Sequence, residues 1–128
     1  FCEESVVASM ESPFFHKTEA FKYGAIVPGE FDVGQWYRPI NAEFQLWENV
    51  DELHIAANEP IFYLEFLTDR PVVMQRYQVT KRLSTIASSL IHVNPMKRFA
   101  SLVDKYALFK QSRLKSQILK EIQNNLVY

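Results

Sequence analysis

The chain has 128 residues, of which 48% are hydrophobic and 14% aromatic, a composition that can fill one packed core without disulfides or structural metals. Its only cysteine, Cys2, excludes an internal disulfide. The longest run free of Asp, Glu, Lys and Arg extends from Leu83 to Met96, shorter than the roughly 18 apolar residues of a membrane span, so no membrane partner is expected.

Charge is divided unequally along the chain, although the net charge is only −1. Residues 1–70 carry 13 acidic and 4 basic side chains, whereas residues 71–128 carry 2 acidic and 10 basic, giving net charges of −9 and +8. Such a division fits an acidic sheet resting on basic helices, a basic face for nucleic acid, or complementary surfaces in an oligomer. The sequence leaves these three interpretations open.

The N-terminal part is predicted to be rich in β-structure. Residues 1–21 have no firm period and are expected to form an ordered arm whose aromatic residues, next to Pro13, pack on the body. Residues 22–79 contain β-branched and aromatic runs separated by turn residues, which predicts six short strands. These strands are Tyr23–Val27, Val33–Arg38, Glu43–Trp47, Leu53–Ile55, Ile61–Thr68 and Val72–Val79.

Alternation within the strands indicates which faces are buried. Phe44 and Leu46 alternate with polar residues, as do the apolar residues Phe62, Leu64 and Phe66 of the fifth strand. The fifth strand is apolar enough to be central in its sheet. The segment Asp69-Arg70-Pro71 can make a tight connection, so strands five and six are expected to form a hairpin.

The period changes to helical after Val79. Thr80 is expected to cap a helix over residues 81–92, whose apolar face has the spacing of one helical stripe. This face consists of Leu83, Ile86, Ala87, Leu90 and Ile91. Asn94-Pro95 then predicts the start of a second helical region over residues 95–126.

The second helical region carries two apolar stripes that are out of phase with each other. The first stripe is Phe99, Leu102, Val103 and Tyr106, and the second is Leu114, Ile118, Ile122 and Leu126. We favour a break near Gln111-Ser112 over one long helix with two faces. The second stripe must then be buried, either against the body after a bend or against another chain.

These elements together predict an α+β fold. Residues 1–128 form one domain in this prediction: an arm at 1–21, an antiparallel β-sandwich or jelly-roll-like barrel at 22–79, and a helical region of two or three helices at 80–128.

The sequence contains no recognisable motif for metal-dependent or nucleophilic catalysis. The histidines lack the spacing of a local metal motif, so a metal site would have to combine separate strands, with His54, Glu43 and Glu65 as donors in a cupin-like enzyme. No serine lies in a G-x-S-x-G elbow, and Cys2 has no histidine near it in sequence. We expect no cofactor and favour a protein that is not an enzyme.

The C-terminal region is the most promising part for binding. Its basic residues, combined with the second apolar stripe, indicate a surface for a protein partner or for a second copy of the chain. The basic members of this surface are Lys97, Arg98, Lys105, Arg113 and Lys115. Nucleic acid is the alternative partner, although the pI near 6.3 and the lack of a recognition motif speak against it.

Within residues 22–80, three segments are similar to known proteins. They are Gly24-Ala25-Ile26-Val27-Pro28, then Phe31-Asp32-Val33, and then the Glu59-Pro60 step into an apolar strand that continues towards Arg76-Tyr77. In these segments the chain resembles a group of uncharacterised β-sandwich proteins of tailed phages and marine bacteria. The resemblance implies a sandwich and a phage context, and it supplies no catalytic residue.

The first hypothesis for function is therefore a non-enzymatic protein-interaction or structural module, phage-encoded and self-associating. The alternatives are the cupin-like metal-dependent enzyme and a nucleic-acid-binding protein that uses the basic C-terminal helix. The start of the chain lacks the basic and apolar regions of a signal peptide, which favours the host cytoplasm or a virion over secretion.

Overall fold

A computed structural model describes residues 1–35, 37, 39–91 and 101–128. Over these residues the chain is α+β, with antiparallel sheets and three helices in its C-terminal part, as the sequence predicts at this level. The strands are β1 (Val7–Glu11), β2 (Gly24–Ile26), β3 (Gly29–Asp32), β4 (Phe44–Leu46), β5 (Tyr63–Leu67), β6 (Arg76–Tyr77) and β7 (Leu126–Val127). The helices are α1 (Lys81–Ile91), α2 (Leu102–Ser112) and α3 (Lys115–Gln123), with a 3₁₀ turn at Glu19–Lys22.

Two compact units make up the chain, and each combines segments that are distant in sequence. The unit that we call the β unit contains Val7–Phe31 and Ile40–Leu67. The unit that we call the α unit contains Phe1–Val6, Asp32–Pro39 and Thr68–Tyr128. The first six residues are therefore grouped with the C-terminal helices and not with the strand that follows them.

A three-stranded antiparallel sheet, with the strand order β3-β1-β5, dominates the β unit. In the register between β1 and β5, Ala8 lies opposite Phe66 and Met10 opposite Leu64. Ala8 and Met10 are buried, so the apolar alternation predicted for the fifth strand meets a buried face of β1. The central strand is β1, which lies in the segment predicted to be an arm, and the prediction that the fifth strand is central is wrong.

The predicted hairpin between strands five and six is also wrong. β5 pairs with β1, whereas β6 is a two-residue strand that pairs with β7, placing Tyr77 opposite Leu126. The residues that precede β6 are exposed, including Val73 and Met74, so they offer β5 no buried face to match. The apolar face of β1 determines the pairing of β5 instead of the turn that follows it.

The second sheet of the β unit joins β2 and β4 in antiparallel order. Its strands lie within the predicted runs, and Phe44 and Leu46 are half-buried while Gln45 is exposed, which confirms the predicted alternation. Gly24 must be glycine because a Cβ atom there would overlap the backbone carbonyl of Gln45. Residues 53–55, predicted as a strand, have no regular structure.

The described strands form one sheet of three strands and two sheets of two, and they do not close into a barrel. The jelly-roll-like barrel predicted from the sequence is therefore absent from the described part of the chain. Sheets of two or three strands keep open edges. A closed barrel needs enough tilted strands for the first strand to pair with the last.

The α unit has a core of large side chains, built on Tyr37, Leu83, Phe109 and Ile118. The Phe1 ring packs edge-on against the rings of Tyr37 and Phe109, with centroids 5.1 and 5.9 Å apart. The other half-buried members around this core are Tyr77, Ile86, Ala87, Leu90, Leu114 and Ile122. Burial, together with a hydrogen bond to Tyr77, raises the pKa of Tyr37.

Helix α1 forms as its sequence predicts. The Leu83 amide donates a hydrogen bond to the Thr80 hydroxyl at 3.2 Å, which makes Thr80 the N-cap. The predicted apolar face turns inward at Leu83, Ile86 and Leu90. The predicted helix end at residue 92 and the start at residue 95 lie outside the described residues.

The predicted break near Gln111-Ser112 is confirmed. Helix α2 begins with a capping box formed by Ser101 and Asp104 and ends at Ser112. Arg113 follows with a left-handed backbone (φ 55°), and α3 then starts at Lys115. This break lets the second apolar stripe pack into the core of the same unit.

Candidate interaction surfaces

The second apolar stripe, predicted as an interaction surface, lies in the α unit itself. Ile118 is 0% exposed at the centre of the core, and Leu114 and Ile122 pack against that core. Leu126 is half-buried in β7. The stripe therefore packs within its own unit, after the break that ends α2.

The first apolar stripe is only partly buried at its described residues. Tyr106 is half-buried, and its hydroxyl accepts a hydrogen bond from the Asp32 amide at 2.6 Å. Leu102 and Val103 are exposed, Val103 to 74%, and Phe99 lies outside the described residues. The inward face of α2 is instead completed by Phe109, which is buried in the core.

Basic side chains line the surface of the α unit. Arg113 is exposed, Lys105 and Lys115 are half-buried, and Lys97 and Arg98 lie outside the described residues. Lys110 and Lys120 are also exposed. The ranges of the α unit contain 12 basic and 6 acidic residues in the sequence, a net charge of +6.

The β unit has the opposite charge. Its ranges contain 9 acidic and 2 basic residues in the sequence, a net charge of −7. The division of charge seen along the chain is therefore also a division between compact units. A net charge of this size favours association with a partner of the opposite sign.

Exposed aromatic side chains lie on the β unit in a small cluster around Tyr63. Phe14 and Phe15 are 62% and 83% exposed, and the Phe14 ring meets the Tyr63 ring edge-on with centroids 5.3 Å apart. The Tyr63 hydroxyl is hydrogen-bonded to His16 Nδ1. The prediction that the aromatic residues of this segment pack on the body is therefore wrong for Phe14 and Phe15.

The loop that carries these rings is held by a buried proline and by backbone hydrogen bonds. Pro13 is fully buried, and the amides of Phe14 and His16 donate hydrogen bonds to the carbonyls of Ser12 and Pro13 at 2.8 and 2.9 Å. Two successive tight turns thus follow directly after β1. The exposure of the two phenylalanine rings results from this turn geometry, because the buried proline fixes the side of the loop that faces inward.

A shallow depression adjoins the Phe14 ring. It has a volume of about 530 Å³ and is lined by Ser9, Glu11, Ser12, Phe14, Pro28, Gly29 and Glu30. Glu11 lies at the end of β1, opposite Tyr63 in the register with β5, and Glu30 lies in β3. We call Glu11, Phe14, Phe15, Glu30 and Tyr63 together the Phe14 surface. It combines exposed aromatic rings with two carboxylates.

Exposed aliphatic side chains are a feature of the α unit. The segment before β6 exposes Val72, Val73 and Met74, the last two to nearly four-fifths, and Val79 is exposed before α1. Exposing apolar side chains to water is unfavourable, and such side chains are typical of the centre of a protein interface. Sequence patterns do not reveal them because the run resembles a strand that would be buried.

Asp32 is the most enclosed carboxylate among the described residues. Its side chain accepts hydrogen bonds from the Ser5 hydroxyl, the Gln35 amide at 2.7 Å and the Gly34 backbone amide at 2.8 Å. Burial opposes its ionisation, but these hydrogen bonds outweigh burial and lower the pKa of Asp32. With its oxygens occupied in this way, Asp32 holds the N-terminal segment in place.

The proposed metal ligands are not brought together. His54 is exposed, and its Nε2 lies 3.2 Å from Glu52 Oε2 instead of near Glu43 or Glu65. Across residues 1–35, 37, 39–91 and 101–128, no group of three or more His, Cys, Asp or Glu side chains could hold a metal ion. The cupin-like ligand set predicted from the sequence therefore does not form there.

None of the helices in the described ranges is long and apolar enough to cross a bilayer. Comparison with known proteins adds no further constraint on function: no family model, no curated protein and no solved structure matches this chain.

Proposed function

We propose that the protein is a non-enzymatic interaction module that associates with itself head to tail, the basic α unit of one copy meeting the acidic β unit of the next. The opposite net charges of the two units, +6 and −7, are the observation that carries this proposal. An interface between two different patches of one chain is heterologous, so it builds rings or open chains instead of a symmetric dimer.

Charge alone would make such an interface weak. An exposed ion pair contributes only about 0 to 1 kcal/mol, so several pairs and some apolar burial are needed for stable association. The exposed aliphatic residues Val72, Val73 and Met74 in the α unit, and the exposed rings of Phe14 and Phe15 in the β unit, supply that apolar area. Each unit therefore offers charge of one sign and apolar side chains that can be buried.

The resemblance of residues 22–80 to phage proteins supports a phage-encoded module. The sandwich that this resemblance implies would use the sheet of β1, β3 and β5 as one layer and the sheet of β2 and β4 as the other.

Sedimentation velocity at two salt concentrations tests the proposal. At about 0.05 M NaCl the Debye length is about 14 Å, and at about 0.5 M it is about 4 Å, so charge-driven association weakens strongly between them. We expect masses above the 15.0 kDa monomer at low salt and mainly monomer at high salt. A monomer at both salt concentrations and at every protein concentration would contradict self-association.

The same experiment addresses the alternative with nucleic acid. A labelled single-stranded RNA and a labelled duplex DNA are added to the low-salt sample. If the chain remains monomeric and binds either of them with an affinity that falls steeply with salt, the basic surface of the α unit serves nucleic acid instead of a second copy.

A further inference from the structure

The geometry of the β unit points to one docking position within the proposed self-association, on which this inference rests. We infer that the Phe14 surface receives a lysine or arginine side chain from the α unit of a second copy. The alkyl part of that side chain would lie on the Phe14 ring, and its cationic head would sit in the depression near Glu11 and Glu30.

The rings of this surface are held in place before any partner arrives. Phe14 packs against Phe15 and Tyr63, with centroids 4.5 and 5.3 Å away, and the hydrogen bond with His16 fixes the Tyr63 hydroxyl. The buried Pro13 and the two turns after β1 fix the backbone beneath them. A surface ordered in this way loses little conformational entropy when a partner binds.

Electrostatics select a cation as the occupant. Glu11 and Glu30 both line the depression, and the unit around them has a net charge of −7. An aromatic ring attracts a cation at its face, and two carboxylates add charge-assisted hydrogen bonds to an ammonium or guanidinium group. A volume of about 530 Å³ accommodates one long basic side chain.

The chain itself supplies the matching surface. Three exposed basic side chains lie along this part of the chain: Lys110 on α2, Arg113 at the C-cap of α2 and Lys120 on α3. The α unit that carries them has a net charge of +6. A second copy is therefore the occupant that the charges of this chain favour.

The test compares two charge variants of the β unit by sedimentation velocity at low salt. Glu11→Gln with Glu30→Gln removes the two carboxylates of the depression, whereas Glu48→Gln with Asp51→Asn removes two exposed acidic charges elsewhere in the same unit. We expect the first pair to raise the Kd of self-association by about tenfold and the second by less than about threefold. Equal effects of the two pairs would overturn the docking position.

Phe14→Ala provides a second measurement that does not depend on charge. The ring is mostly exposed, so the variant should fold, which circular dichroism checks. We expect it also to raise the Kd by about tenfold, and to do so at higher salt as well, because the ring contributes apolar burial that salt does not screen. An unchanged Kd in a folded Phe14→Ala variant would overturn the role of the ring.

Mixing variants tests the head-to-tail arrangement directly. Lys110→Gln, Arg113→Gln and Lys120→Gln together weaken the basic side, and Glu11→Gln with Glu30→Gln weakens the acidic side. Each variant alone should be mainly monomeric, while an equal mixture should form a heterodimer, because one intact basic surface then meets one intact acidic surface. Failure of the mixture to associate would overturn the pairing of these two surfaces.

The outcomes separate this inference from the proposed function. If the native chain associates but the Glu11 and Glu30 variant keeps the native Kd, self-association stands and the docking position is wrong. If the native chain is monomeric, the proposed function fails. If that monomer binds a pentalysine peptide through Glu11 and Glu30, the occupant is a basic segment of another protein, and the assignment to a second copy is overturned.

Discussion

The α unit and the β unit bury different kinds of side chain. The α unit is built around large residues, with Leu83, Phe109 and Ile118 all buried. The buried apolar residues described in the β unit include two alanines, Ala8 and Ala20, while its phenylalanines at 14 and 15 are exposed. A few large side chains therefore hold the α unit together, whereas the β unit keeps aromatic area available for binding.

The largest effect is expected from charge placed in the α unit core. Ile118→Asp with Ile122→Asp would bury a carboxylate where Ile118 is 0% exposed, and we expect it to cost more than about 4 kcal/mol and abolish cooperative melting. Ser116→Asp with Gln123→Asp, at exposed positions of the same helix, is the matched control. Thermal melting, monitored by circular dichroism, distinguishes the two variants. A native-like melt of the first variant would contradict burial of Ile118 in this core.

A smaller effect is expected for Phe66 of the β unit, which is not fully buried. Phe66 is half-buried opposite Ala8, so Phe66→Ala should lower the free energy of unfolding by about 2 to 3 kcal/mol, less than for a fully buried phenylalanine. Phe15→Ala, at an 83% exposed position, should change it by less than about 0.5 kcal/mol. Urea denaturation measures both, and similar losses would mean that the two rings are equally buried.

Glycine substitutions compare close backbone contacts in the two units. A Cβ at Gly34 would overlap the Glu4 carbonyl in the α unit, and one at Gly24 would overlap the Gln45 carbonyl in the β unit. Gly34→Ala and Gly24→Ala should each cost about 2 kcal/mol because backbone must shift. Gly29→Ala meets nothing within 4 Å and is the control. If Gly29→Ala destabilises as much as the other two in urea denaturation, steric overlap is not the cause.

The smallest effect concerns the pH dependence contributed by Asp32. Its pKa is lower in the folded chain than in the unfolded chain, so it stabilises the fold above a pH of about 4, and this contribution is lost as the pH falls through the folded value. Asp32→Asn should cost about 1 kcal/mol at neutral pH and should flatten the decline below pH about 4. Urea titrations at several pH values measure this, and an unchanged decline would assign it to other carboxyl groups.

The two surfaces proposed for binding differ in how far sequence can predict them. The basic side chains of the α unit are recognisable because charge is visible in the sequence itself. The Phe14 surface is not, since Phe14 and Phe15 in a loop are ordinarily expected to be buried. Only Pro13, which breaks regular structure just before them, marks the turn, and it does not indicate which side of the loop faces inward.

The local structure of the helical part could be predicted from the sequence. Three features show this: the Thr80 cap, the inward face of α1 and the break after Ser112. Each depends on residues within about four positions of each other, so a short stretch of sequence is enough to predict it. The pairing of β5 could not be predicted in this way, because Ala8 and Phe66 are 58 residues apart and meet only in the folded chain. Several apolar runs could have supplied a partner strand, and only the packing of whole faces distinguishes β1 from the rest.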